Sequence, residues 1–159
     1  MSNETASICP VCGGELRYRD TRKRIVRQAG GNREYIRIRR LKCTQCGRLH
    51  NEIPDCLVPH KHYAAKVIED TVDEAIGPDD LSTEDYPCEQ TMQRWKNWIE
   101  RNQTQMEGCL RSAAYRILDY SDQLLNSGVS LLKNMRELGA GWLCIVQRFV
   151  YNSGGAMAP

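Results

Sequence analysis

The chain has no run of 18 apolar residues, and its first seven residues lead into no apolar stretch. A spanning helix needs about 20 such residues and a secretory leader needs an apolar centre, so neither is expected. The expected setting is a bacterial-type cytoplasm, where thiols stay reduced and paired cysteines read as metal ligands rather than disulfides. The residue patterns that carry most enzyme chemistry are missing too. There is no Walker loop, no Ser-His-Asp arrangement and no glycine-rich cofactor loop. Carboxylates are dense only at Asp79, Asp80, Glu84 and Asp85, one local acidic turn, whereas a two-metal nuclease gathers acids from distant parts of a chain. No enzyme is expected. Large apolar residues are also scarce in the first ~50 positions, too few for that part to fold on burial alone.

Cysteine compensates for that shortage. Cys9-Pro10-Val11-Cys12-Gly13 and Cys43-Thr44-Gln45-Cys46-Gly47 are two Cys-x-x-Cys-Gly units with thirty residues between Cys12 and Cys43. Such a turn aims backbone N–H groups at a thiolate, and the following Gly accepts the unusual φ this needs. Two turns together make a tetrahedral four-thiolate zinc site with no open position for water or substrate. One structural Zn²⁺ is therefore expected on Cys9, Cys12, Cys43 and Cys46, its binding energy serving as folding energy. An iron site shares this geometry; a redox dithiol wants one Cys-x-x-Cys at a helix start in a βαβ setting, which is absent.

Charge is divided along the chain. Residues 1–66 hold 14 Lys/Arg against 6 Asp/Glu, and residues 67–159 hold 8 against 14, so a net +2 conceals a basic front and an acidic remainder. Between the cysteine pairs Leu16 to Val26 suits a strand, Ala29-Gly30-Gly31-Asn32 a turn, and Tyr35 to Leu41 a second strand. At period two Ile36 and Ile38 share one face, and Arg37 and Arg39 the other. Arg22, Lys23, Arg24, Arg37, Arg39, Arg40 and Lys42 are candidate phosphate contacts, which give affinity and salt dependence without sequence information. The plainer alternative is a solvated strand face. Tyr18 and Tyr35 are expected to pack as the ribbon's small aromatic core rather than stack on bases.

After a short third strand near Leu49–Ile53 and a connector, helices are expected over Lys61–Ile76 and Glu89–Arg101, separated by Gly77-Pro78 and an acidic stretch. The pair is helix-turn-helix-like, with a turn longer than usual. On the second helix Gln90, Gln93, Arg94 and Asn97 offer polar groups suited to base edges; a merely wet outer face is the alternative. The acids from Glu69 to Glu89 oppose phosphate approach there and suit a basic partner or the ribbon itself. Two further stripes, Met106, Leu110, Ala113, Ile117, Tyr120, Leu124 and Leu131, Met135, Leu138, Trp142, Ile145, Phe149, predict a helical hairpin broken at Asn126-Ser127-Gly128, which packs on itself or forms a homodimer interface. Gly139-Ala140-Gly141 marks a kink or a close approach within the second run. His50, Cys56, His60 and His62 lie within thirteen residues and form a weaker second-metal candidate, interrupted by Pro54 and Pro59. Cys88, Cys109 and Cys144 are expected in cores.

The run Ile38 to Tyr63, with Cys43-Thr44-Gln45-Cys46-Gly47-Arg48 and Ile53-Pro54-Asp55-Cys56-Leu57-Val58-Pro59-His60-Lys61-His62-Tyr63, resembles the N-terminal DNA-binding region of bacterial insertion-sequence transposases. There a zinc ribbon, a similar connector and a helix-turn-helix follow one another. Thr91-Met92-Gln93-Arg94-Trp95 is similar to a Thr-x-x-Arg-Trp in the second helix of those modules. A set of short mobile-element-associated bacterial proteins shares the layout. The resemblance covers residues 8–101. It implies double-stranded DNA as partner, with Gln93 and Arg94 near the recognition surface and Cys56 and His60 as packing positions. Nothing after residue 101 supplies a ribonuclease-H-like core, so strand transfer by this chain alone is not expected.

The expected fold is α+β: an N-terminal four-cysteine zinc ribbon of small antiparallel β, then an all-α part. The expected divisions are a flexible 1–7, a ribbon over 8–54, connector and helix-turn-helix over 55–102, a hairpin over 103–152 that dimerises or docks a transposase or recombinase, and a disordered tail over 153–159. No membrane partner is expected. The rival reading is a zinc-ribbon adaptor that binds a protein rather than DNA.

Overall fold

A computed structural model describes residues 7–84, 86–118 and 128–159. The fold is α+β: a three-stranded antiparallel sheet followed by four helices among the described residues. Strand β1 (Leu16–Arg27) and strand β2 (Arg33–Cys43) form a long ribbon, and β3 (Leu49–Asn51) adds to the edge of β2. Helices follow as α1 (Ala65–Val72), α2 (Glu89–Leu118), α3 (Leu131–Leu138) and α4 (Trp142–Asn152).

The ribbon's register assigns its two faces, because directly opposed residues of an antiparallel pair project to the same side. Arg24 opposes Ile36 and Arg22 opposes Ile38, while Lys23 opposes Arg37 and Thr21 opposes Arg39. Val26 and Ile36 on the first face pack into the core shared with the helices. The register shifts between Tyr18 and Asp20, so Arg19 is an extra residue on β1. A bulge of this kind keeps Tyr18, opposite Leu41, on the face that carries Arg37 and Arg39.

The core is built from the connector and all four helices. Leu57 and Val58 of the connector, Ile68 of α1, Trp95, Trp98 and Met106 of α2, Leu132 of α3, and Trp142, Leu143, Val146 and Val150 of α4 are buried together. Arg27 N–H donates to His62 O at 2.8 Å and Ala64 N–H to Arg27 O at 2.9 Å, so the end of β1 and the start of α1 are one hydrogen-bonded corner. That extended pairing is why α1 begins at Ala65 rather than Lys61. Glu74, at φ +61, ends it before Ile76.

Three further expectations change. The helix expected to stop near Arg101 runs on to Leu118, so residues 103–118 continue the second helix instead of opening a separate hairpin. No glycine or proline interrupts residues 88–107, and Trp95, Trp98, Asn102, Met106 and Leu110 form one unbroken buried stripe. The second run is divided at Gly139-Ala140-Gly141 into α3 and α4, and the phase of burial resets there: Leu138 and Ile145 are exposed, whereas Leu143 and Val146 are fully buried. The tail expected to be disordered is held against α2. Asn102 accepts Ala158 N–H at 2.7 Å, Trp98 Nε1–H donates to Ala158 O at 2.7 Å, and Met157 is buried. The expected break at Asn126-Ser127, the stripe positions Tyr120 and Leu124, and residues 1–6 of the expected flexible start lie outside the described residues. Among the described residues no helix is long and apolar enough to cross a membrane.

Candidate metal centre and basic ribbon face

Both cysteine turns close in the same way. Gly13 N–H donates to Cys9 O at 2.9 Å and Gly47 N–H to Cys43 O at 3.2 Å. Gly13 and Gly47 have φ of +75° and +70°, a left-handed conformation that side chains resist, so each turn needs glycine after its second cysteine. Thr44 N–H donates to Glu15 O at 3.0 Å and ties the two turns together. Where they cross, Gly14 leaves no room for a side chain: a Cβ there would sit 2.9 Å from Cys43 Sγ.

The ligand atoms of Cys9, Cys12, Cys43 and Cys46 all lie within 4.8 Å of one another. Cys9 Sγ is 3.8 Å from Cys46 Sγ, and Cys12 Sγ is 3.4 Å from Cys43 Sγ. A tetrahedral site with Zn–S bonds of ~2.3 Å has S···S edges of ~3.8 Å, so the donor set fits a single ion of that size. The four cysteines lie close enough to hold a metal ion.

The electrostatics of the cluster point the same way. Cys43 is pushed down to about 6, first by the Cys46 backbone N–H and then, against the cost of burial, by that of Gln45. Cys12 is raised to about 11: the Gly14 N–H favours its thiolate, but the sulfurs of Cys43, Cys46 and Cys9 hold a proton on it. Thiolates held close together repel one another unless a cation offsets their charge. A metal ion held by the four sulfurs would supply that charge.

His50 on β3 adds a feature that spacing does not reveal. Its Nε2 lies 3.3 Å from Cys9 Sγ. The pairing of Leu41 with His50 delivers it there, since strand order rather than sequence distance sets that neighbour. The looser second-metal candidate does not assemble. Among the described residues the four-cysteine cluster is the only group of three or more such ligands, and His50, Cys56, His60 and His62 form none. Cys56 and His60 are exposed instead of packed, and Cys88, expected in a core, stands exposed just before α2.

A model of the family described as a domain of unknown function, DUF6431, matches residues 9–95. The chain belongs to the DUF6431 family. No curated protein and no solved structure matches the chain. The DUF6431 span opens on the first cysteine of the cluster and closes on Trp95, whose ring meets Tyr63 edge-on at 5.0 Å in the core. It therefore takes in the whole ribbon, the connector, α1 and the start of α2, while α3 and α4 lie beyond it.

The basic side chains of this DUF6431 chain divide into two groups. Lys23, Arg37 and Arg39 are exposed and lie on one ribbon face, with Thr21, Ile25 and Tyr35 beside them. No acid stands among these positions; Glu52, at the edge, reaches Arg39 at 3.4 Å. Arg22 and Lys42 are exposed on the opposite face. Arg24 and Arg40 have other work. Arg24 donates to the carbonyls of Val58 at 2.5 Å and Lys61 at 2.6 Å, and burial together with nearby Arg22 lowers its pKa. Arg40 makes a two-pronged ion pair with Asp20, which holds that carboxyl below its usual range. Both guanidiniums fasten the chain to itself.

Gln90, Gln93, Arg94 and Asn97 are exposed on the outer side of α2, and Gln93 donates to Asn97 Oδ1 at 2.9 Å. The ribbon tip is attached to the loop before this helix: Gly30 N–H donates to Tyr86 O at 2.9 Å. Tyr18 and Tyr35, expected to pack, are 57% and 67% exposed. Val26 and Ile36 on the other face pack against the helical core, and Ile38 and Leu41 are buried as well, so no aromatic core is needed. Tyr35 falls in phase with Arg37 and Arg39, and that phase alone marks it as outward. Tyr18 reaches the same face only through the bulge at Arg19, which the sequence does not announce.

Proposed function

We propose that this chain is a zinc-dependent DNA-binding protein, related to the zinc-ribbon region of insertion-sequence transposases. It acts as a site reader or accessory factor of a mobile element. The observation that carries this reading is the exposed ribbon face of Lys23, Arg37 and Arg39, which has no acid among its positions. Zinc on the four cysteines folds the ribbon and fixes this face, and the face grips phosphates. Arg94, Gln90, Gln93 and Asn97 on α2 are the groups available for base edges. Arg24 and Arg40 leave the contact set, since both are committed inside the fold. The segment 103–152 is the part that pairs with a second copy or docks a transposase or recombinase.

The test is selection from a randomised duplex library by zinc-loaded protein. Enrichment of one motif, lost in Arg94→Ala, supports a sequence reader. Weak binding to every duplex that disappears by physiological salt, with tight capture by a protein partner, favours the adaptor reading.

A further inference from the structure

The exposed tyrosines carry the argument beyond phosphate gripping. Tyr18 and Tyr35 stand at the two ends of the basic face, on the same side as Lys23, Arg37 and Arg39. Aromatic rings this exposed forgo the burial that normally stabilises them. Tyr18 is nonetheless held in place: its hydroxyl bonds Thr21 Oγ1 at 3.0 Å, and the Arg39 guanidinium lies 5.8 Å from its ring centroid. Tyr35 opposes Ile25 across the ribbon. Six residues of register separate the two rings along β2, about 20 Å at ~3.4 Å per residue. Phosphate binding needs cations and has no use for a ring. Rings interleaved with Arg and Lys on a sheet face are how proteins hold unpaired bases, because each base offers a π-face to stack while the cations follow the backbone.

From this arrangement we infer that the outer ribbon face is a base-stacking platform for single-stranded nucleic acid, with Tyr18 and Tyr35 each taking one unpaired base and Lys23, Arg37 and Arg39 holding the phosphates between them. The inference rests on the nucleic-acid reading above and sharpens its substrate: a strand that is single or locally opened, in preference to a closed duplex. Stacking geometry is indifferent to base identity, so the platform supplies affinity and leaves sequence choice to other residues.

The experiment measures fluorescence anisotropy of zinc-loaded protein with a labelled mixed-sequence 12-nucleotide single strand, in DNA and RNA forms, and with the matching duplex. Four proteins are compared: the wild type, Tyr18→Leu/Tyr35→Leu, Tyr18→Phe/Tyr35→Phe, and Arg37→Ala/Arg39→Ala. Circular dichroism and bound-zinc content confirm that each is folded. The wild type is expected to prefer the single strand. The leucine pair is expected to lose about tenfold to a hundredfold per ring on the single strand and to change little on the duplex. The phenylalanine pair, which keeps the rings, is expected to stay within a few-fold of wild type. Single-strand binding unchanged in the leucine pair, or equal losses on strand and duplex, overturns the platform. If duplex binding still falls with Arg37→Ala/Arg39→Ala, the wider reading survives that result. If none of the nucleic acids binds, both readings fall together. The DNA and RNA arms identify which strand the platform holds.

Discussion

The carboxylate of Glu69 on α1 sits across the start of α4 and accepts Leu143 N–H at 3.0 Å, with Gly141 N–H on its other oxygen at 2.6 Å. Glu69 is a buried acid, and its charge faces the positive end of a helix whose first N–H groups have no partner of their own. Gly141, at φ +95, lets the chain enter α4 at the angle this requires. Glu69→Ala strands those donors in the core, and about 2–3 kcal/mol of stability is expected to be lost. Glu69→Gln, which still accepts one bond, is expected to lose less. Thermal unfolding followed by circular dichroism orders the three proteins.

A second acid caps α3 in the same way, and it brings a pH dependence. Glu107 accepts Leu131 N–H at 2.6 Å, Leu132 N–H at 3.0 Å and the Ser130 hydroxyl at 3.1 Å. Burial works against its charge, but those donors and Arg111 outweigh burial and hold the carboxyl below its ordinary 4.5. The unfolded chain therefore takes up this proton first as pH falls. The stabilisation is fully present above pH 4.5 and disappears below it, as pH drops through the folded value. Denaturant midpoints measured from pH 6 downward are expected to fall less steeply in Glu107→Gln than in the wild type over that acid limb.

The metal centre is tested where the two turns cross. Gly14→Ala places a methyl 2.9 Å from Cys43 Sγ and 2.9 Å from Gln45 Cγ, so a ligand sulfur must shift. Metal affinity is expected to fall about 10- to 100-fold, the usual cost of disturbing the groups that orient a ligand. Competition with a chromophoric chelator reads this directly. The wild type is expected to take up one equivalent of cobalt with the spectrum of a tetrahedral tetrathiolate, and Cys43→Ser to lose that spectrum.

How much is legible in the sequence follows from what each element depends on. The two turns depend on local residues, Cys-x-x-Cys-Gly, and so the four-cysteine cluster is readable. So is the outward phase of Arg37 and Arg39, set by period two within β2. Long-range partners are not readable. Arg24 belongs to the same basic run as Lys23, yet it turns inward to carbonyls more than thirty residues away. The continuation of α2 past Arg101 is hidden because its two halves present themselves as separate stripes, although no residue between them breaks a helix. The ordered tail depends on Asn102, a polar side chain in an apolar stripe whose purpose appears only when Ala158 lies against it.

The division among the arginines makes a prediction that charge counting cannot. Arg24→Met removes two hydrogen bonds to connector carbonyls and is expected to cost about 2 kcal/mol of stability. It is expected to leave the salt dependence of nucleic-acid binding unchanged while the protein remains folded. A denaturation curve and a binding titration on the same sample separate the two effects.

The most direct test of the account is the salt dependence of DNA binding by zinc-loaded protein, compared between wild type and Arg37→Ala/Arg39→Ala. Each phosphate contact removed is expected to flatten the slope of log affinity against log salt by about 0.9, so the double variant should be flatter by roughly 2 and weaker on every sequence. An unchanged slope, in a variant that still binds one equivalent of zinc, would contradict the assignment of this ribbon face to nucleic acid.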